Sequence, residues 1–200
     1  LKIVSNETKR LSRLVTSMLN LSKIESGELE PKRGEFEVSM LLVDCILNFE
    51  QEIERKNLEI TGFDNIGKVQ LNADRDMIYQ VFYNLIDNAI KFTNENGEIS
   101  VFVGENEKNQ TIISIQNTGE GISSEEIGRI FERFYKVDKS RSYDVKSAGL
   151  GLYLCKTIVE LHGGQIYAES VENEFTRFTI VFEKTIEKNK KQKSGKTDTI

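Results

Sequence analysis

No apolar run in this chain approaches the roughly 18–20 residues that span a bilayer, and its first residues do not read as a signal peptide, so none is expected within them. Cysteine is scarce. Cys45 and Cys155 stand alone in apolar, helical-looking stretches, which is neither a disulfide framework nor a metal site. They read as small buried hydrophobes of a reducing compartment. The one histidine, His162, lies in Glu160-Leu161-His162-Gly163-Gly164. That is the end of a helical pattern, where the dipole favours a cationic cap, so its expected role is structural. No excess of basic residues exists either: 27 Lys and Arg face 32 Asp and Glu, a net charge of −5. Residues 186–200 hold five lysines against Glu187 and Asp198, which leaves the body still more acidic and argues against nucleic-acid binding. No internal repeat is present.

What is there is ordinary globular material, 38% hydrophobic and 30% charged over 200 residues, enough for one domain with an appendage. Val4, Leu11 and Met18 recur every seven residues, with Leu14 and Leu21 at the alternate positions of the seam. This predicts a bundle-forming helix over residues 1–25 that needs a partner helix. Ser26-Gly27 ends it and Pro31 follows. Beyond lie an amphipathic helix over 38–56, short strands at 58–63 and 69–72, and a long helix over 75–92 with Asp74 as N-cap. Strands follow at 98–104 and 111–116, then a helical piece at 125–131. A helix over 150–161 and strands at 165–170 and 175–182 close the chain. The first residue is Leu1, so a fragment of a longer protein is expected. The order of elements predicts an α/β two-layer sandwich, a mixed sheet with helices on one face.

The helix over 75–92 is the most informative. At about 100° per residue, Gln80, Asn84, Asp87, Asn88 and Lys91 share one narrow face. Ile78, Val81, Phe82, Leu85, Ile86, Ala89, Ile90 and Phe92 take the rest. Two carboxamides a turn apart and a lysine on the next turn suit an oxygen-rich anion and its metal, since an Asn oxygen is a hard ligand fit for Mg²⁺. The same stripe also fits a merely solvated helix face. Asn117-Thr118-Gly119-Glu120-Gly121-Ile122 follows a strand. Its glycines permit unusual backbone and the close approach of a flat ligand, although Gly-x-Gly alone is more often a turn. Ala148-Gly149-Leu150-Gly151-Leu152 opens a helix, where free N–H groups and the dipole favour phosphate.

In this order the motifs resemble those of the sensor histidine kinases, in the superfamily shared with gyrase B and MutL. Asn84-Leu85-Ile86-Asp87-Asn88-Ala89-Ile90-Lys91-Phe92-Thr93 is similar to the family's asparagine box. Asn117 to Ile122 and Gly149-Leu150-Gly151-Leu152 are similar to its two glycine boxes, and Phe131-Glu132-Arg133-Phe134-Tyr135 to its phenylalanine box. The heptad helix resembles the second helix of the family's dimerisation domain. The resemblance implies a dimerisation helix at 1–27, a catalytic ATP-binding domain at 33–184 and a basic tail at 185–200. ATP and Mg²⁺ would be the cofactors, a second copy and a response regulator the partners. A cytoplasmic location would follow for this part, and a membrane anchor for the whole.

The resemblance also implies roles. Asn88 would be the Mg²⁺ ligand with Asn84 beside it, and Lys91 would meet a phosphate. Phe92 would pack near the nucleoside. Lys136 and Arg141 would reach the terminal phosphates, Phe131 and Phe134 would anchor the loop, and residues 137–147 would form a lid. Asn117, Gly119, Gly121, Ile122, Tyr135, Gly149, Leu150, Gly151, Leu152 and Thr176 would complete the nucleotide site. Three departures stand out. No phosphoacceptor histidine precedes the heptad helix. Asn117 replaces the usual Asp, which implies weaker ATP binding and less preference over GTP, because an amide also carries a donor. Phe175 stands where glycine is common. An alternative is a pseudokinase that keeps the fold and binds ATP poorly; an ATPase of the gyrase or MutL kind fits less well, given the heptad helix and the phenylalanine box.

Overall fold

A computed structural model describes residues 15, 18–19, 21–24, 26–28, 30–137 and 149–183. Its elements are β1 (Gly34–Glu37), α1 (Val38–Leu47), α2 (Glu50–Lys56), β2 (Glu59–Thr61), a 3-10 turn (Phe63–Asn65), β3 (Gln70–Ala73), α3 (Arg75–Phe92), β4 (Glu98–Glu105), β5 (Thr111–Thr118), α4 (Gly151–Leu161), β6 (Gly164–Val171) and β7 (Phe175–Phe182). Strands β2-β4-β5-β7-β6 form one sheet. Only β2 and β4 run parallel; the other pairs are antiparallel. Strands β1 and β3 form a separate antiparallel pair.

Alternation sets the layers. Ile113, Ile115 and Asn117 of β5 and Thr176, Phe178, Ile180 and Phe182 of β7 are buried, and the residues between them are only partly so. One sheet face therefore meets the helices, as a period of two requires. Helix α3 lies at the centre, against α1, α4 and β5. It buries Ile78, Val81, Phe82, Leu85, Ile86, Ala89 and Ile90. Each large side chain removed from water contributes about 1.5–3 kcal/mol, so this helix is the spine of the core. The expected two-layer α/β sandwich with a mixed sheet is the fold.

Three expectations need correction. The helix expected over 38–56 is two helices. Asn48 ends the first: its side-chain amide donates to the Asp44 carbonyl (2.8 Å) and to Tyr79 Oη (3.1 Å), competing with the helical backbone. Phe49 then turns into the core and stacks on Tyr83, centroids 4.8 Å apart. The helical piece expected at 125–131 is a series of turns, closed by bonds such as Arg129 N–H to Glu126 O (2.8 Å) and Glu132 N–H to Arg129 O (2.8 Å). Strand β1 was not foreseen, because Gly34-Glu35-Phe36-Glu37 offers a single apolar residue to an alternation test.

The heptad helix is partly visible: Val15, Met18, Leu19 and residues 21–24 are helical. Val15, Met18 and Leu19 are exposed, while Leu21 is buried in the chain's own core. Leu21 therefore does not wait for a partner helix as the stripe implied. Val4, Leu11, Leu14, Arg141, most of the expected lid and the basic tail lie outside the described residues. Among the described residues no helix is long and apolar enough to cross a membrane.

Candidate nucleotide-binding site

Helix α3 starts where its sequence says. The Asp74 carboxylate accepts from the N–H groups of Asp76 (3.1 Å) and Met77 (3.2 Å), filling two of the donors a helix start leaves open. From that start the wheel delivers Asn84, Asn88 and Lys91 on the partly covered face, with Asp87 more exposed. Phe92 departs from the expected apolar arc. It is 53% exposed, with the Lys91 ammonium 5.1 Å from its ring centre.

Asn84 is the informative side chain. Its Nδ2 is buried, and apart from the Cys155 sulfur, a weak acceptor beside it, it has no hydrogen-bond partner among the described residues. A buried donor left wholly unpaired costs about 1–3 kcal/mol, and a thiol sulfur offsets only part of that, so the retention of Asn84 calls for an explanation from function. It faces the start of α4, where a Cβ built on Gly151 would lie 3.8 Å from Asn84 Cγ. Among the described residues helix α4 has no side-chain N-cap, so its first N–H groups lack that partner there. A carboxamide with a weakly partnered donor and a helix start with no side-chain cap, side by side, form a place for an anion. The neighbouring Cys155 takes no part in acid–base chemistry, since burial pushes its thiol up to about 12.

The first glycine segment lies across the other end of α3. Asn117 pairs with Ile99 of β4 and Thr176 of β7 and is buried. Its Nδ2 donates to the Thr118 carbonyl (3.0 Å), which fixes the direction of the amide. A Cβ on Gly119 would stand 2.2 Å from the Phe92 carbonyl oxygen, and one on Gly121 2.3 Å from the Val171 carbonyl oxygen. What approaches these glycines is thus protein backbone; the flat ligand expected from the motif does not explain them. Ile122 N–H donates to Ser170 Oγ (2.8 Å), which lies 3.0 Å from the hydroxyl of the buried Thr176. Ser170 was missed from the sequence. Nothing marks it there, because only strand register sets it opposite Thr176.

Of the aromatic pair, Phe131 is half-buried and meets Phe178 edge-on, centroids 6.2 Å apart. Phe134 does not anchor: it is 56% exposed, with φ at +62°. Its N–H donates to the Gly149 carbonyl (3.0 Å), so backbone ties the loop to the second glycine segment. Tyr135 is half-buried, with the Arg129 guanidinium 4.5 Å from its ring centre, and Lys136 beside it is half-buried. Leu150 is buried and Leu152 packs on the core. The unusual Phe175 lies on the outer sheet face with Arg177, whose guanidinium stands 5.4 Å from its ring. It points away from the site side.

His162 is structural, as expected, but not as a cation. It ends α4, is 8% exposed, and its Nδ1 lies 2.8 Å from the Ile158 carbonyl. Nε2 accepts the Asp74 N–H at 3.1 Å. One nitrogen donates and the other accepts, so the ring is the neutral Nδ1–H tautomer. Burial, the largest influence, lowers its pKa; the bond to the Ile158 carbonyl works against it, Arg33 lowers and Asp74 raises it, and the net shift is downward. With the folded pKa below the unfolded value, the unfolded chain takes up the proton first as pH falls. The contribution is present above about pH 6.5 and declines below it. His162→Gln should cost about 1–3 kcal/mol at pH 8 and clearly less at pH 5.5. Urea unfolding of both proteins at both pH values measures this, and an equal gap at the two would rule out the neutral tautomer.

Residues 73–186 match the family described as histidine kinase-, DNA gyrase B-, and HSP90-like ATPases. The chain is 37% identical over 180 residues to the sensor protein SrrB of Staphylococcus aureus, covering 90% of this chain and 30% of that one. It thus spans about a third of the length of the curated relatives it matches. Histidine kinase ThkA, solved in complex with response regulator protein TrrA, is 30% identical with a TM-score of 0.71, over 94% of this chain and 51% of ThkA. Histidine kinase AdeS of Acinetobacter baumannii, 24% identical, shares the fold with a TM-score of 0.76 over 92% of this chain and 84% of that one. The chain belongs to the histidine kinase-, DNA gyrase B-, and HSP90-like ATPase family, as a catalytic ATP-binding domain of the sensor histidine kinase kind. The pseudokinase alternative is not favoured.

Proposed function

We propose that this domain binds Mg-ATP between α3 and the start of α4 and transfers its γ-phosphoryl group to a histidine outside this sequence, for relay to a response regulator. The carrying observation is the weakly partnered Asn84 amide beside the N-terminus of α4, which has no side-chain cap among the described residues. Bound Mg-ATP supplies the phosphoryl group, and the protein supplies position and charge. In this reading Asn88 holds the Mg²⁺ with Asn84 beside it, hard amide oxygens for a hard ion. Lys91 and Lys136 neutralise phosphate charge, with Arg141 in the same role. Gly149, Leu150, Gly151 and Leu152 present the α4 N–H groups to phosphate. Phe92, Ile122, Tyr135 and Thr176 frame the nucleoside, with Gly119 and Gly121 shaping the loop against α3 and β6.

Asn117 faces the base in this reading. Its amide nitrogen is turned to the Thr118 carbonyl, so the oxygen edge is left to accept from an amine. In this reading the orientation supports a preference for adenine over guanine, where the amide's donor alone would lessen it. The heptad helix at 1–27 joins a second copy, the domain at 33–184 is the catalytic unit, and the full-length protein is anchored at the cell membrane.

Calorimetry should show Mg-ATP binding and a preference for ATP over GTP. Incubation with γ-labelled ATP should leave the chain unlabelled, because both ring nitrogens of its one histidine are engaged. Absence of ATP binding would sink the proposal, and acid-labile label on His162 would overturn the assignment of an external acceptor.

A further inference from the structure

We propose that Lys56 is a positioning residue for the nucleotide site, holding the last turn of α3 so that Lys91 and Phe92 keep their places. The inference rests on the function proposed above. Lys56 is the last residue of α2, distant in sequence from any nucleotide motif. Its Nζ donates to three backbone carbonyls: Ile90 (2.7 Å), Lys91 (3.1 Å) and Thr93 (2.8 Å). An ammonium has three donors, and all three are spent on carbonyls at and just beyond the helix end. These are groups a helix terminus leaves unpaired, and the positive charge complements the negative end of the dipole.

The rest of α2 supports this reading. Glu50, Gln51, Glu52, Glu54 and Arg55 are exposed, and only Ile53 and Lys56 turn inward. The clasp is doubled by backbone and amide bonds: Asn96 N–H donates to the Lys56 carbonyl (2.9 Å), and Asn57 Nδ2 to Asn96 Oδ1 (2.8 Å). Gly119 in turn sits so close to the Phe92 carbonyl that no Cβ fits. The last turn of α3 is thus held between α2 and the first glycine segment, and it carries the lysine and the aromatic ring assigned to phosphate and nucleoside. Burial, then the Arg55 charge, lowers the Lys56 pKa, with Glu95 acting the other way and the net shift downward.

The test is Mg-ATP calorimetry on the whole chain, at a temperature where circular dichroism shows every protein folded. Lys56→Met should weaken binding about tenfold, the size of one charge-assisted hydrogen bond, and Lys56→Arg should restore part of it. Hydrogen exchange should quicken at the Thr93 and Gly97 amides and stay unchanged in β6 and β7. A residue that only stabilises the fold would lower the melting temperature and leave the dissociation constant within twofold, and that result overturns the proposal. Should Lys56→Met not fold, Lys56→Gln, which keeps two donors without the charge, decides by the same criterion. Failure of the wild-type chain to bind Mg-ATP would count against the proposed function instead. In that case unchanged exchange at Thr93 in the variant still refutes the clasp.

Discussion

Asn88→Ala should weaken Mg-ATP binding by about 10- to 100-fold, the loss expected when one strong polar contact to a charged group is removed. It should do so without harming the fold. Asn88 lies on the half-covered face of α3, and the side chains that hold the helix in the core (Leu85, Ile86, Ala89) are its neighbours. Alanine is the better helix former, by up to about 0.7 kcal/mol. The variant should therefore melt at the wild-type temperature or slightly above it while losing its ligand. Stability and affinity moving in opposite directions mark a residue kept for function at some cost to the fold. The loss should also depend on the metal. In EDTA, where nucleotide binds through Lys91, the α4 N-terminus and the base contacts alone, the two proteins should differ by less than about threefold. Calorimetry with and without Mg²⁺ checks both halves. An equal loss in both conditions would remove Asn88 from the metal and leave it a contact to the nucleotide.

The sequence made α3 and its polar face legible because both rest on a period. A cap at Asp74, seven buried residues at helical spacing and five polar ones on one narrow face are all statements about 3.6 residues per turn. The strands were legible for the same reason, at a period of two. What stayed hidden depends on pairs of residues far apart in sequence. Strand β1 exists because Phe36 pairs with Leu71 of β3, and no window around Phe36 contains that partner. The Asn48 break depends on Tyr79, and Ser170 earns its place only through Thr176 and Ile122. His162 was placed correctly at a helix end and assigned the wrong charge. The helix dipole can be read from sequence, but the Asp74 N–H that makes the ring an acceptor comes from another element. Leu21 shows the same limit, since its heptad position does not reveal that the catalytic domain itself covers it.

Gly119→Ala should be the most damaging single methyl group near the site. The glycine pattern at 119–121 reads equally well as a ligand cradle or as a turn, and the structure favours protein contact. The added Cβ would lie 2.2 Å from the Phe92 carbonyl oxygen and 3.3 Å from its carbon, with φ at +153°. Phe92 O belongs to the last residue of α3, and a backbone atom cannot swing aside as the tip of a side chain can. Either the loop lifts off α3 or the helix end moves. Overpacking of this kind costs about 1–3 kcal/mol, and a non-glycine residue in such backbone adds a similar amount. Because Asn117 lies two residues before Gly119 and Lys91 one before Phe92, the displacement falls on both the base side and the phosphate side of the proposed site. Mg-ATP affinity should then drop by more than about tenfold, beyond what lost stability explains, since a displaced helix end misplaces two contacts at once. Gly128→Ala is the control, for its Cβ would meet nothing within 4 Å. Denaturation and calorimetry on the two variants separate the outcomes. If Gly119→Ala binds Mg-ATP as tightly as Gly128→Ala, the glycine segment and the end of α3 are not mechanically joined.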